Sequence, residues 1–318
     1  MVPGGTLTDT TTHPGPGAAA AQATRPERYQ FDKAVRRQRH ARVALDGPPG
    51  SGTLYTALAL ATAIGKKVAA IDTQRGKASV YADTFPFDMC PPLSYFSPET
   101  LITALAHCAD QGYDTVVIST LSQFWNGPGG VREKAVRAGK RGATSGWNEV
   151  RPLEWRMLDA LMGYPGHVFV TVRDRLDYVS EPDEYGNQRR RVIPLGPSWR
   201  DGLEYEFDIV ATMHHPHTLV VTRAPTADLA GAVEPEPGAA FAARIKAYLD
   251  QGAPIEPVDD LVTEARLPGL TFEELGDLMN RVRLRQAEGY PLLLPDSTGT
   301  TLGAYITQRG NELRAADR

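Results

Sequence analysis

The stretch "GPPGSGTL", residues 47–54, follows the apolar run "RVALD" and opens the helical run "TLYTALALATAIG". A strand, a turn of the form Gly-x-x-x-x-Gly-Lys-Ser/Thr and a helix make a phosphate cradle. Backbone N–H groups surround the anion, the lysine reaches the terminal phosphates, and the hydroxyl binds Mg²⁺. Here Gly47, Pro48, Pro49, Gly50, Ser51 and Gly52 supply the turn, but Thr53 stands at the lysine position and Leu54 at the hydroxyl position. Sliding the register by one makes Thr53 the hydroxyl, shortens the loop and still supplies no lysine. Read alone, the stretch is either a weak anion site or a plain Gly/Pro turn.

Other residues of chemical type are scattered. "MHHPH" brings His214, His215 and His217 together. Neighbours on a strand point to opposite faces and no carboxylate motif joins them, so no metal site is expected. Cys90 and Cys108 lack ligand spacing and read as ordinary thiols of a reducing cytoplasm. "GGVREKAVRAGKRGATSGW" reads as a Gly-rich loop in which Arg132, Lys134, Arg137, Lys140 and Arg141 face a lone Glu133, with Trp147 nearby. Arg189, Arg190 and Arg191 form a second basic patch. Such groups can meet the phosphates of single-stranded DNA and stack a base, or simply be solvated.

The elements that must position these groups follow from apolar periodicity. "RVALDG", "KKVAAIDT", "TVVIST" and "HVFVTVR" are short buried strands. They alternate with helices at residues 53–65, from Ser97 onward, and at "PLEWRMLDALMG", so a parallel sheet with both faces covered is expected. "LDYVSEPDEYGNQRRRVIPL" reads as a β-hairpin, "FDIVATMHHPHTLVVTRA" as two further strands and "GAAFAARIKAYLDQG" as a helix. Residues 1–40 read as a disordered, basic arm in which Arg25, Arg28, Lys33, Arg36, Arg37 and Arg39 recur, with Arg42 just beyond. The main domain spans 41–254 and a Pro-rich acidic linker 255–269. A helical tail, 270–318, opens on a capping box between Thr271 and Glu274.

Four segments in order resemble the RecA-like, AAA-type P-loop ATPases carried by phages and prophages. "GPPGSGTLYTAL" is similar to their first nucleotide motif and "AAIDTQRGKASVYAD" to their strand with Asp-Thr-Glu-x-Gly. "YDTVVISTLSQFWNG" resembles the strand that carries their metal-binding Asp, and "GPSWRDGLEYEFDIV" their late Arg-Asp-Gly signature. The resemblance covers roughly residues 42–254. It implies an α/β RecA-like P-loop fold, mainly a parallel sheet flanked by helices, with a hairpin excursion and a small helical tail. Against the family pattern, Thr53 replaces Lys, Leu54 Thr, Gln74 Glu, Ser119 Asp and Gln123 His. All five positions belong to the phosphate, metal or water machinery. Asp72 and the loop glycines match the pattern. By the same resemblance, Arg173 and Arg175 follow the fourth strand, where such folds sense the γ-phosphate; the nucleotide role falls to Arg173, with ion pairing to Asp174 or Asp177 as the alternative.

Phosphoryl transfer rests on electrostatic positioning by Lys, Mg²⁺ and a water-orienting group. The resemblance with these losses implies a hydrolysis-deficient subunit that holds ATP or another nucleotide weakly, has no usual protein anchor for Mg²⁺, and works on single-stranded DNA or beside copies of itself or an active homologue. Two alternatives are a working ATPase that recruits Lys66, Arg75 or a neighbouring subunit's cation, and a structural scaffold. The net charge of −4 excludes nucleic-acid binding through overall charge, and 42 % hydrophobic residues over 318 give ample core. No run approaches the roughly 18 apolar residues of a membrane span, so no membrane partner and a cytoplasmic location are expected.

Overall fold

The computed structural model describes residues 33–140, 146–182 and 188–316. Most of the arm, Arg141 and the hairpin tip lie outside the described residues, as do the side chains of Lys140, Arg175, Asp177, Arg189, Arg190 and Arg191. Met1–Val35 separates as a unit by itself, and the helices and strands of the described residues belong to the second unit, Arg36–Arg318.

In chain order the elements are β1 (Arg42–Gly47), α1 (Thr53–Ile64), β2 (Val68–Asp72), a 3-10 turn (Lys77–Tyr81), β3 (Asp88–Met89), α2 (Pro98–Asp110), β4 (Thr115–Ser119), α3 (Ser122–Asn126), α4 (Val131–Lys140) and α5 (Gly146–Met162). Then come β5 (His167–Pro182), β6 (Gln188–Pro197), a 3-10 turn (Leu203–Glu206), β7 (Ile209–His214), β8 (Thr218–Arg223), β9 (Val233–Pro235) and α6 (Ala239–Leu249). The tail holds α7 (Asp259–Ala265), α8 (Phe272–Leu284), β10 (Pro291–Leu293), β11 (Gly299–Thr301) and α9 (Leu302–Ala316).

The main sheet runs β3-β2-β4-β5-β1-β7-β8-β9, with β6 paired to β5 as the hairpin excursion. Strands β2, β4, β5, β1 and β7 are mutually parallel, and β8 and β9 turn back antiparallel. This is the α/β RecA-like architecture. Every residue of β4 is buried because helices cover both faces. Val116 and Ile118 pack with Leu101, Leu105, Phe124 and Leu161, whereas Val117 points the other way, into a core with Leu58, Phe169 and Ile245. The period-2 alternation of a strand thus feeds two separate cores.

Strand order also places the loop. β1 lies between β5 and β7, with Gly47 opposite Arg173 and Asp46 opposite Thr212. The turn at residues 47–52 therefore leaves the middle of the sheet, at the carboxyl ends of its parallel strands, where ligands of open α/β sheets bind.

Several elements differ from the sequence reading. The Gly-rich loop contains a helix, α4, because Val131, Ala135 and Ala138 fall at i, i+4 and i+7 and are buried. Helix α5 begins ahead of Pro152, at Gly146. The linker contains α7, whose Leu261 and Ala265 pack against Leu278 and Val282. The tail is not purely helical, since β10 and β11 pair as a hairpin. This hairpin reaches α2, where Gly299 N–H donates to Thr103 Oγ1 at 3.0 Å, and a Cβ on Gly299 would lie 2.4 Å from Thr103 Cα. The end of the basic arm is also tied down. Arg37 pairs with Glu256, Arg39 with Asp208 at 3.2 Å, and buried Arg42 donates to the carbonyls of Met162, Tyr164 and Gly166. Burial lowers the Arg42 pKa to about 10.

Candidate functional site

At the end of β1 the chain can turn into α1 only because its glycines take conformations other residues resist. Gly50 and Gly52 have φ of 81° and 95°, and a Cβ on Gly47 would meet Met213 O and Ser51 Oγ, both at 2.7 Å. Ser51 N–H donates to Pro48 O at 3.2 Å and closes the turn. Helix α1 has no side-chain N-cap, so its first amides point from the loop with no intrahelical acceptor. Ser51 is 1 % exposed and its hydroxyl has no hydrogen-bond partner among the described residues. The backbone half of a phosphate cradle is thus present. Thr53 opens α1, and Leu54, partly buried, packs against the core that holds Leu58 and Phe169.

The ends of β2 and β4 carry the second half. Asp72 is fully buried, and its carboxylate accepts from Gln74 N–H and, at 3.0 Å, from Ala78 N–H. Asp72 therefore holds the turn after β2, each oxygen accepting one backbone N–H. Gln74 Nε2 donates to Ser119 Oγ at 2.9 Å, so two of the five replaced positions are joined directly. Thr73 Oγ1 donates to Ser119 O and accepts from Thr120 N–H across a cis Ser119–Thr120 bond, locking the same corner. Gln123, on α3, folds its side chain back toward Gly127. Leu54 has no side-chain oxygen, and Gln74 and Ser119, joined to each other, have only neutral ones, so these three positions supply no anionic ligand for Mg²⁺. Among the described residues no group of three or more His, Cys, Asp or Glu could hold an ion.

A family model described as an AAA domain matches residues 39–233, from just before β1 to the first residue of β9. The chain belongs to this AAA family. No curated protein matches it.

Within the AAA domain, the cations proposed for the site divide by position. Arg173 lies opposite Gly47, with an exposed side chain that has no partner among the described residues; its backbone N–H donates to Ser122 Oγ at 3.0 Å. Arg75 is exposed at the same edge, just after β2. Lys66 precedes β2 at the opposite edge, where its N–H meets the Asp114 carboxylate, about a strand length (roughly 15 Å) from the loop. It cannot replace the missing lysine.

Helix α4 carries three of the cations offered to DNA, each beside a protein partner. Arg132 donates to Asn126 Oδ1 at 3.1 Å, Lys134 pairs with Glu99 at 2.8 Å, and Arg137 pairs with Glu133. Trp147, 41 % exposed, packs against Trp125 with ring centroids 5.7 Å apart.

The sequence reading missed the groups that β7 brings to the loop. His215 Nε2 lies 3.2 Å from Pro49 O, and His217 Nε2 lies 3.0 Å from Thr56 Oγ1. A Cβ on Gly52 would stand 2.8 Å from the His217 ring, which also meets Tyr55 edge-on at 5.3 Å. On the other face of the sheet, Asp46 and Asp174 each have one buried oxygen without a partner among the described residues. Burial raises the pKa of Asp46, and burial together with the charge of Asp46 pushes Asp174 to about 6, although the Gly47 N–H bond opposes the shift. Only the pairing of β1 with β7 could reveal these neighbours; nothing in the spacing from Gly47 to His217 announces them.

Proposed function

We propose that this AAA-family chain is a hydrolysis-deficient nucleotide-binding subunit. Its loop holds the phosphates of ATP or a related nucleotide through main-chain amides, and it acts in assembly with copies of itself or with an active homologue. The observation that carries this reading is the Gln74–Ser119 hydrogen bond, 2.9 Å, at the corner where relatives of the resembled family place two acids. A neutral donor and a neutral acceptor satisfy each other there, so neither of these two positions brings a charge to orient a metal or an attacking water. The cradle itself remains favourable to an anion, since a helix N-terminus and left-handed glycines direct amides at one point.

The test is phosphate release from ATP by the full chain with Mg²⁺ present, beside direct binding of a fluorescent ATP analogue. We expect binding without turnover above the buffer rate, and loss of binding in Gly52→Asp, whose side chain would enter the space of His217. Turnover that disappears in Gly52→Asp refutes the reading, and its loss in Arg173→Ala would name Arg173 as the recruited cation.

A further inference from the structure

The loop lacks a lysine, yet the described structure does not leave it without a basic group. Two imidazoles from the turn between β7 and β8 lie on it, one from each side of Pro216. His215 reaches the carbonyl of Pro49 within the loop, and a Cβ on Gly50 would be 3.5 Å from its ring. His217 sits against Gly52, the residue that starts α1, and bonds Thr56 one helical turn later. Each ring engages the protein through Nε2, and among the described residues neither Nδ1 has a partner. A doubly protonated ring then has one N–H for the loop and one for a ligand. The Ser51 hydroxyl inside the same turn is buried and unpartnered among the described residues, a polar atom to which the protein itself offers no bond.

We propose that His215 and His217 supply, as imidazolium ions, the positive charge that Thr53 withholds, so that the loop takes a phosphate or polyphosphate anion more tightly in acid. This rests on the reading of the loop as a nucleotide-phosphate site and specifies its regulation.

Several elements pack around the two rings. From α1, Tyr55 touches His217 through its ring edge and Thr56 through its hydroxyl. From the 3-10 turn, Tyr81 meets Tyr55, and just after β9, Glu236 N–H donates to His217 O. His214 points to the opposite face of the sheet, toward the charges of Asp46 and Asp174. Arg173 and Arg75 are permanent cations at this edge. Imidazole is the side chain that changes charge between pH 5 and 8, and charge-assisted hydrogen bonds to phosphate are the strong ones. Loss of charge from Asp174 in acid would act in the same direction, so the experiment separates the two.

A fluorescent ATP analogue is titrated into the full chain without added metal at about pH 6 and about pH 8. The chains compared are the unaltered protein, the double variant His215→Gln with His217→Gln, and Asp174→Asn. Glutamine keeps a donor for Pro49 O and for Thr56 but cannot charge. We expect about tenfold tighter binding at the lower pH, the scale of one charge-assisted hydrogen bond. That gain should vanish in the double glutamine variant and persist in Asp174→Asn. A gain that survives in the double variant, or that disappears in Asp174→Asn alone, overturns the proposal. So does tighter binding by the double variant at both pH values, which would make the turn a plug. Binding by no chain at either pH would instead overturn the phosphate-site reading beneath it.

Discussion

Two ends of the same sheet edge have taken opposite courses. At β1 the phosphate device is made of main chain: glycine conformations and helix amides, which no side-chain replacement at Thr53 or Leu54 can remove. At β2 and β4 the device of related ATPases is made of side chains. There Gln74 and Ser119 have closed on each other in a neutral hydrogen bond. A backbone site survives changes of residue type as long as the turn is kept, whereas a carboxylate site is erased by one exchange. In the function proposed above, holding an anion would rest on the first end and activating water on the second.

Restoring the side-chain end should break that contrast most strongly. A chain with Thr53→Lys, Leu54→Thr, Gln74→Glu and Ser119→Asp should release phosphate from Mg²⁺-ATP on the order of 10²-fold faster than the unaltered protein. A silent restored chain, folded by circular dichroism, would mean that the corner differs by more than these side chains. A smaller effect belongs to Asp72, whose carboxylate holds the turn after β2. Asp72→Asn leaves one buried amide without its acceptor and should cost about 1–3 kcal/mol in urea denaturation, while nucleotide binding, measured without urea where both chains are folded, stays within about twofold. The smallest effect concerns the acids behind the loop. Because burial and Asp46 raise Asp174 to about 6, the folded state binds more protons than the unfolded one between its ordinary carboxylate range and pH 6. Stability is thus lowered as pH rises through that window, and Asp174→Asn should be more stable than the parent at about pH 8 and equal to it at about pH 3, by thermal melts.

Much of the fold was legible from local rules. The buried strands, the N-cap of Ser97 on Thr100 and the capping box of Thr271 with Glu274 all appear where apolar spacing and side-chain chemistry place them. α4 was not, because its three buried small residues are outnumbered by charged and glycine residues that signal a loop. The hairpin β10–β11 was missed for a similar reason, since strands of three residues carry too little periodicity to register. Within the site, the loop glycines and the replaced positions were readable, but the roles of Asp72 and Lys66 were not. Whether a carboxylate faces a ligand or its own turn depends on which amides surround it, and Asp72 faces Gln74 and Ala78.

What the amino-acid order determined by itself was the set of available groups. It placed glycines at a strand-to-helix turn, no lysine or hydroxyl after them in the usual register, and amide and hydroxyl groups in place of acids; such features are local and need no partner. Tertiary structure alone decided which groups meet. Setting β1 between β5 and β7 brings Arg173 to Gly47, and the β7–β8 turn carries His215 and His217 onto a loop and helix start far earlier in the chain. Strand order in a sheet follows from how two hydrophobic cores are filled at once, a global condition that no short stretch of sequence contains.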